Sequence, residues 1–362
     1  MKNKKKFLKF ITIGTVSSIV VASGLSVYFL VYHHYKGTEI IDEWHDSDVF
    51  DINKIKTVEK TPNKEFRILN FADIQLRDFN RIKVKNAIFS EMEYLIKTYQ
   101  PDMITLTGDQ TMCNYNLCTL RRIISFLDSY KIPYAPIFGN HDSGDEIDSA
   151  TASTLKMCEM YEKGKYSLFS RGPSNLGSYG NYVINIKEGD SIIRSLYFID
   201  SGIKDTVSDN QREWVRWNSD GMMSKIGHYP ESIVYTHMPF PEHGYAHLLR
   251  NTDENVYNYF SLSGSKQNGF FEMAKTRNFT DFICGHQHGN NFTLPYEGIR
   301  YTFAVKTGQT SCYYQDENIN LNGCTIVRIN KETTITHHYV EKGMFEFEDG
   351  ENVAEHYKHY FK

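Results

Sequence analysis

Tyr134-Ala135-Pro136-Ile137-Phe138-Gly139-Asn140-His141-Asp142 is the stretch on which the fold turns. Its five opening residues read as a short buried strand. The run stops at a glycine, and three side chains capable of ligand or acid–base chemistry follow. Two upstream segments are built alike. Phe66-Arg67-Ile68-Leu69-Asn70-Phe71-Ala72 runs into Asp73-Ile74-Gln75, and Met103-Ile104-Thr105-Leu106-Thr107 runs into Gly108-Asp109. Between them Ile88, Met92, Leu95 and Ile96 recur at helical spacing up to Pro101, and Leu117, Leu120, Ile124 and Leu127 mark a second helix. Strands that alternate with helices and carry polar residues at their carboxyl ends predict an α/β sheet with a site beyond those ends.

Downstream, strands are expected at Tyr182 to Ile186, Ile193 to Ile199, Ile233 to Thr236, Phe282 to Cys284, Tyr301 to Val305 and Thr325 to Ile329, with helical pieces around Trp214 and Phe270-Phe271. This later crowding of strands predicts mixed sheets covered by helices. Two of these strands also end in chemistry, at His237 and at Gly285-His286-Gln287-His288. Taken singly, a Gly-Asp pair is a turn, and a histidine after a strand is more often a hydrogen-bonded structural residue than a ligand. In this order and combination they form a metal-ligating set. Carboxylate oxygen and imidazole nitrogen suit borderline divalent ions, and one carboxylate can bridge two ions ~3.5–4 Å apart, the spacing used for in-line displacement at phosphorus. His286 and His288 would point to opposite faces of an extended segment, whereas a tight loop lets them address adjacent ions. Gly108, Gly139 and Gly285 each precede a candidate ligand, where a bare backbone permits a sharp turn and close approach.

The 362 residues are 40 % hydrophobic and 23 % charged, the balance of a globular protein and not of a disordered chain. Charge is unevenly placed. Lys2, Lys4, Lys5, Lys6, Lys9 and Lys36 are the charged residues of the first 36, and removing them from a total of −4 leaves −10 on residues 37–362. An acidic domain without a Lys/Arg stripe argues against nucleic-acid binding. From Phe10 to Tyr32 there are 23 residues without Asp, Glu, Lys or Arg, enough at ~1.5 Å per residue to cross a ~30 Å hydrocarbon core. Lysines before this run and Glu39, Asp42 and Glu43 after it keep the N-terminus cytoplasmic and export the rest. The expected organisation is therefore a basic cytoplasmic segment at 1–9, a transmembrane signal-anchor at 10–32, a spacer at 33–64 with room for one docked strand, a domain at 65–340 and a C-terminal extension at 341–362. The localisation that follows is the cell membrane, single-pass, with the domain outside the cytoplasm. The alternative is a secreted protein, cleaved near Val21-Ala22-Ser23. Export permits disulfides among the six cysteines, although Cys284, within Asp281-Phe282-Ile283-Cys284, reads as a small buried apolar residue.

At these motifs the sequence resembles the calcineurin-like metallophosphoesterases, whose pattern is D-x-H, GD, GNH(D/E), H, GHxH. Here it is Asp73-x-Gln75, Gly108-Asp109, Gly139-Asn140-His141-Asp142, His237 and Gly285-His286-x-His288. Gly180-Asn181-Tyr182, Leu196 to Gly202, Gln211-x-x-Trp214, His237 to Glu242 and Asn268 to Phe271 resemble the branch related to purple acid phosphatases, including plant members labelled probable inactive and fungal phosphatases. The resemblance, over about Phe66 to Ile329, implies a four-layer α/β/β/α sandwich. It also implies a dinuclear site for two divalent metal ions (Mn, Fe or Zn). Asp73 and His288 would bind the first ion, with Gln75 in the remaining first-motif position. Asp109 would bridge, and Asn140, His237 and His286 would bind the second ion. His141 would contact the scissile phosphate and act as general acid, and Asp142 is a candidate to orient it.

Two positions depart from the pattern. Gln75 replaces the usual His, a weaker and harder ligand. Met112 stands where purple acid phosphatases place a tyrosine ligand, with Tyr115 nearby but off register, so the iron–tyrosinate colour should be absent. The function expected is a membrane-anchored phosphoesterase that hydrolyses a phosphorylated small molecule or phosphoprotein through metal-activated hydroxide. Its alternatives are a phosphodiesterase of the same fold and a catalytically weak exported binding module, which Gln75 alone supports.

Overall fold

The computed structural model describes residues 34–76, 82–114, 116–142, 152–202, 207–249, 257–258, 268–307, 321–341 and 344. The expected membrane segment at 10–32, the basic residues before it and nearly all of the C-terminal extension lie outside them. Among the described residues no helix is long and apolar enough to cross a membrane.

The three strands that end in motifs are neighbours. β2 (Phe66–Phe71), β3 (Met103–Thr107) and β4 (Tyr134–Ile137) pair in parallel, and β12 (Gly323–Ile329) and β13 (Thr333–Tyr339) extend that sheet antiparallel from β2, in the order β13-β12-β2-β3-β4. The second sheet has eight strands. They are β1 (Lys56–Glu59), β5 (Tyr182–Glu188), β6 (Ser191–Phe198), β7 (Ser232–Tyr235), β8 (Tyr257–Asn258), β9 (Phe279–Cys284), β10 (Asn290–Tyr296) and β11 (Ile299–Phe303), ordered β1-β5-β6-β7-β9-β11-β10-β8. Within it β6, β7, β9 and β11 run parallel, while β5–β6, β10–β11 and β8–β10 are antiparallel.

Period-two alternation assigns each face of the large sheet to its own core. Ile184, Leu196, Phe198, Ile233, Tyr235 and Ile283 join Ile68 and Ile104 of the small sheet in one cluster. That cluster continues through the small sheet to α1 (Ile82–Tyr99) and α2 (Asn116–Ser129), which contribute Ile88, Phe89, Met92, Ile123 and Phe126. The intervening residues Val183, Tyr197, Val234, Phe282 and Cys284 face outward onto α4 (Asp209–Ile226), α5 (Pro241–Leu249) and α6 (Phe270–Lys275). Helices, sheet, sheet and helices therefore succeed one another as expected, and Cys284 is fully buried.

The expected spacer is packed onto the domain. β1 is its docked strand, parallel to β5, and Trp44, Phe50 and Ile55 pack against the outer core. The Thr38 N–H donates to Glu159, and Arg171 donates to the Thr38 carbonyl. A short α3 (Thr154–Glu162), with Ser153 as its N-cap, was not anticipated. Neither were α5, β8, β10 and β13. Their sequences are short and polar or histidine-rich, and the burial that makes them regular comes from neighbours distant in sequence.

Candidate metal centre

The ends of β2, β3 and β4 meet the ends of β7 and β9, and the candidate ligands gather where they meet. Asp73, Asp109 and His288 are buried, with ligand atoms all within 4.8 Å of one another. His288 Nε2 lies 3.2 Å from Asp73 Oδ1. Next to them a second set converges, with His237 Nε2 and His286 Nδ1 each 3.0 Å from Asn140 Oδ1. Asp109 joins the sets, because its Oδ1 lies 3.4 Å from His237 Nε2 while its Oδ2 accepts from Gln75 Nε2 at 3.1 Å. His286 and His288 follow β9 in a tight loop and address different sets.

The local backbone makes this convergence achievable. Asp73, Gln75, Asp109 and His286 have φ of 50°, 45°, 51° and 68°, in the left-handed region that non-glycine residues seldom enter. Gly139 lets two loops touch, since a Cβ there would stand 2.1 Å from Asp109 Oδ1 and 2.3 Å from its backbone nitrogen. Gly108 combines a φ of 85° with a close approach to the His237 ring. The carboxylates are held by backbone donors. The His286 N–H donates to both oxygens of Asp73 at 3.1 Å, and the His141 N–H donates to Asp109 Oδ1 at 2.9 Å. The Thr107 carbonyl lies 2.9 Å from His237 Nδ1 and accepts its N–H, which turns Nε2 toward the site. Sequence reading cannot find that backbone acceptor.

Electrostatics point to a cation. Burial alone would lower the His237 imidazole, but the charge and hydrogen bond of Asp109, with Asp73 behind it, lift it well above its ordinary value. Burial pushes Asp109 up, yet His237 and His141 hold it below the usual carboxylate range. Burial and then the charge on His237 press His286 down. A buried cluster of acids that keeps an extra proton on an imidazole is a place where a metal ion can replace that proton. Two sets of oxygen and nitrogen donors sharing one carboxylate fit two divalent ions.

Gln75 is fully buried and its amide end reaches the first set, 3.4 Å from His288 Nε2. Turned about its last bond, the amide presents Oε1 at the same place. Met112 is described and half-buried, and Tyr115 lies outside the described residues. His141 is at the mouth, with Nε2 4.0 Å from Asp109 Oδ2. Asp142 takes a different place from the one considered for it. Its Oδ2 accepts the Gly139 N–H at 2.7 Å and its Oδ1 the Thr111 N–H at 2.8 Å, so it braces the turn. Burial and the charge of Asp109 raise its pKa. The secondary motifs also serve the frame: Asn181 Oδ1 accepts from Gln211 Nε2 at 2.8 Å and from the Asp200 N–H at 3.2 Å. Asn290 and Asn291, just after His288, are buried, and among the described residues their amide atoms have no hydrogen-bond partner. Their position in the chain was the available signal.

The family model described as calcineurin-like phosphoesterase matches residues 66–290. Phosphatase DCR2 of Saccharomyces cerevisiae is 23 % identical over 277 residues, which cover 66 % of this chain and 46 % of the yeast protein. The chain thus spans less than half the length of that relative. Probable inactive purple acid phosphatase 28 of Arabidopsis thaliana is 22 % identical over 299 residues, covering 69 % of this chain and 74 % of the plant protein. Among solved structures, a dimetal phosphatase from Danio rerio aligns with a TM-score of 0.45 at 10 % identity, over 75 % of this chain and 95 % of that one.

Proposed function

The chain belongs to the calcineurin-like phosphoesterase family, and from that premise we propose that it is a membrane-anchored, dinuclear metal-dependent phosphoester hydrolase. The observation that carries the reading is the meeting of two donor sets on one buried carboxylate, Asp109. Asp73, His288 and Gln75 would hold one divalent ion and Asn140, His237 and His286 the other, with Asp109 within reach of both. Mn, Fe and Zn all suit these donors. When bound, such a pair supplies positive charge against the phosphoryl oxygens and lowers the pKa of water.

The protein's own part is positioning and proton transfer. Asp73 and Asp109 are fixed by backbone N–H groups, so little reorganisation is needed as charge develops. His141 stands at the mouth, where it contacts the phosphate and gives a proton to the departing oxygen, help that is typically ~10²–10⁴-fold. A phosphorylated small molecule or phosphoprotein is the substrate class. The acidic domain has no basic stripe for nucleic acid. The uncharged run at 10–32 holds the domain on the outer side of the cell membrane. A second reading, a binding module with little catalysis, is favoured by Gln75, whose amide donates to Asp109.

Hydrolysis of an aryl phosphate and of its diester, each with Mn²⁺, Zn²⁺ or Fe²⁺, tests the assignment on full-length protein fractionated from cells. Turnover of one or both esters that needs added metal, in the membrane fraction, is expected. No turnover with any of the three ions, despite two bound per chain, would favour the binding module. A shortened protein in the medium would replace the anchor with a cleaved signal.

A further inference from the structure

The turn that carries His141 is held on both sides. On one side is the Asp142 carboxylate already described. On the other is Asn116, the fully buried first residue of α2. Asn116 Oδ1 accepts the Ala152 N–H at 3.0 Å, and its Nδ2 donates to the Asp142 carbonyl at 2.8 Å and to the Ala152 carbonyl at 3.4 Å. One amide thus ties the residue after His141 to the chain entering α3. The next residue, Ser153, is held by the N-terminal strap, its N–H donating to the Tyr35 carbonyl at 2.9 Å and its hydroxyl to the Lys36 carbonyl at 2.5 Å.

We infer that Asn116 is a positioning residue for His141, acting through the Asp142 carbonyl to keep that imidazole over Asp109. The inference rests on the catalytic role proposed for His141. Asn116 bonds none of the candidate ligands, so its effect should reach the reaction without reaching the metals. An amide is required because the neighbours present one donor and two acceptors. A carboxylate there would face two carbonyl oxygens, and a methyl group would remove all three bonds, leaving the Asp142 carbonyl, among the described residues, only the Thr111 hydroxyl at 3.3 Å.

The test compares Asn116→Asp, Asn116→Ala, His141→Ala and the double variant His141→Ala/Asn116→Asp in the full chain. Each is assayed on an alkyl phosphate and on nitrophenyl phosphate, with metal content and amide exchange over residues 139–142 measured alongside. The Asn116 variants are expected to lose about 10–100-fold on the alkyl ester. They should lose less on the nitrophenyl ester, whose leaving group needs no proton, and should keep wild-type metal content. Exchange over 139–142 should quicken even before metal is added. The double variant should be no slower than His141→Ala, because the two residues act as one unit. Losses that multiply in the double variant, or that are equal on both esters, overturn the inference while leaving the proposed function standing. A wild-type chain that hydrolyses neither ester overturns both.

Discussion

Substituting Gly139→Ala adds one carbon at the narrowest point of the site. That carbon would lie 2.1 Å from Asp109 Oδ1, 2.3 Å from its backbone nitrogen and 2.8 Å from its Cγ. Contacts below 3.0 Å are essentially never seen for a Cβ, so the Asp109 carboxylate must shift by about 0.9 Å and the Asp109 loop or the Gly139 turn by about 0.7 Å. Two of the three clashes are with the side chain, but the one with the backbone nitrogen cannot be relieved by rotating χ1. The carboxylate that joins the two donor sets therefore moves. A misplacement of about 1 Å at a reacting centre costs on the order of 10²-fold in rate. The expected result is a folded protein with turnover on an aryl phosphate reduced by about that factor and with weaker retention of both ions. Steady-state kinetics, metal analysis and thermal unfolding on the same preparation check it. Unchanged turnover with two ions per chain would refute the premise that Asp109 must occupy this position.

Three other outcomes follow from the same geometry. Asp109→Asn should abolish turnover and lower metal content, because a neutral amide cannot serve two cations; normal values of both would sink the bridging assignment. Gln75→His should tighten the first ion, since imidazole is the better ligand for late divalent metals; a metal titration with equal or weaker affinity would place Gln75 outside the coordination sphere. Acid should loosen the fold through two histidines, His243, which is buried, and His337, which is half-buried. Burial lowers His337 to about 4 and His243 to about 3, against 6.5. The unfolded chain binds these protons more tightly, so their contribution is intact above pH 6.5 and is lost progressively as pH falls from there to 4 for His337 and to 3 for His243. For His337 this amounts to roughly 3 kcal/mol. His337→Gln should flatten the fall in urea midpoint between pH 7 and 4.5, and an unchanged slope would clear His337 of that role.

The strands that end in motifs were legible because they are short apolar runs stopped by polar residues, and β3 matches its expected limits, Met103–Thr107. The ligand clusters were legible because chemistry recurs at strand ends, and the fold brings Asp73, Gln75, Asp109, Asn140, His237, His286 and His288 together. What escaped depends on partners far away in the chain. β13 is regular because it pairs with β12, and His337 bridges Thr325 and Thr293 between the sheets. α5 is seated on β11 by His243 against Tyr301 and Phe303, and on β10 by His247 against Phe292. Asp142 stands beside His141 in the sequence, yet a tight turn sends neighbouring side chains apart, and it grips Gly139 and Thr111 instead.

Four site residues, Asp73, Gln75, Asp109 and His286, hold left-handed backbone with full side chains. Each such conformation costs roughly 1–2 kcal/mol. Hydrogen bonds to Asp73 and Asp109 offset part of that cost, and a bound cation would add a further gain for keeping the corners bent. This creates an asymmetry under mutation. In a lineage that dispensed with its ions, glycine or asparagine at these corners would relieve the backbone at no cost in coordination. In one that uses them, the same replacements would remove a donor. Selection for heat resistance in metal-free medium should accordingly enrich such changes at positions 73, 75, 109 and 286 ahead of changes in the strands, whereas the same selection with manganese present should leave those positions alone.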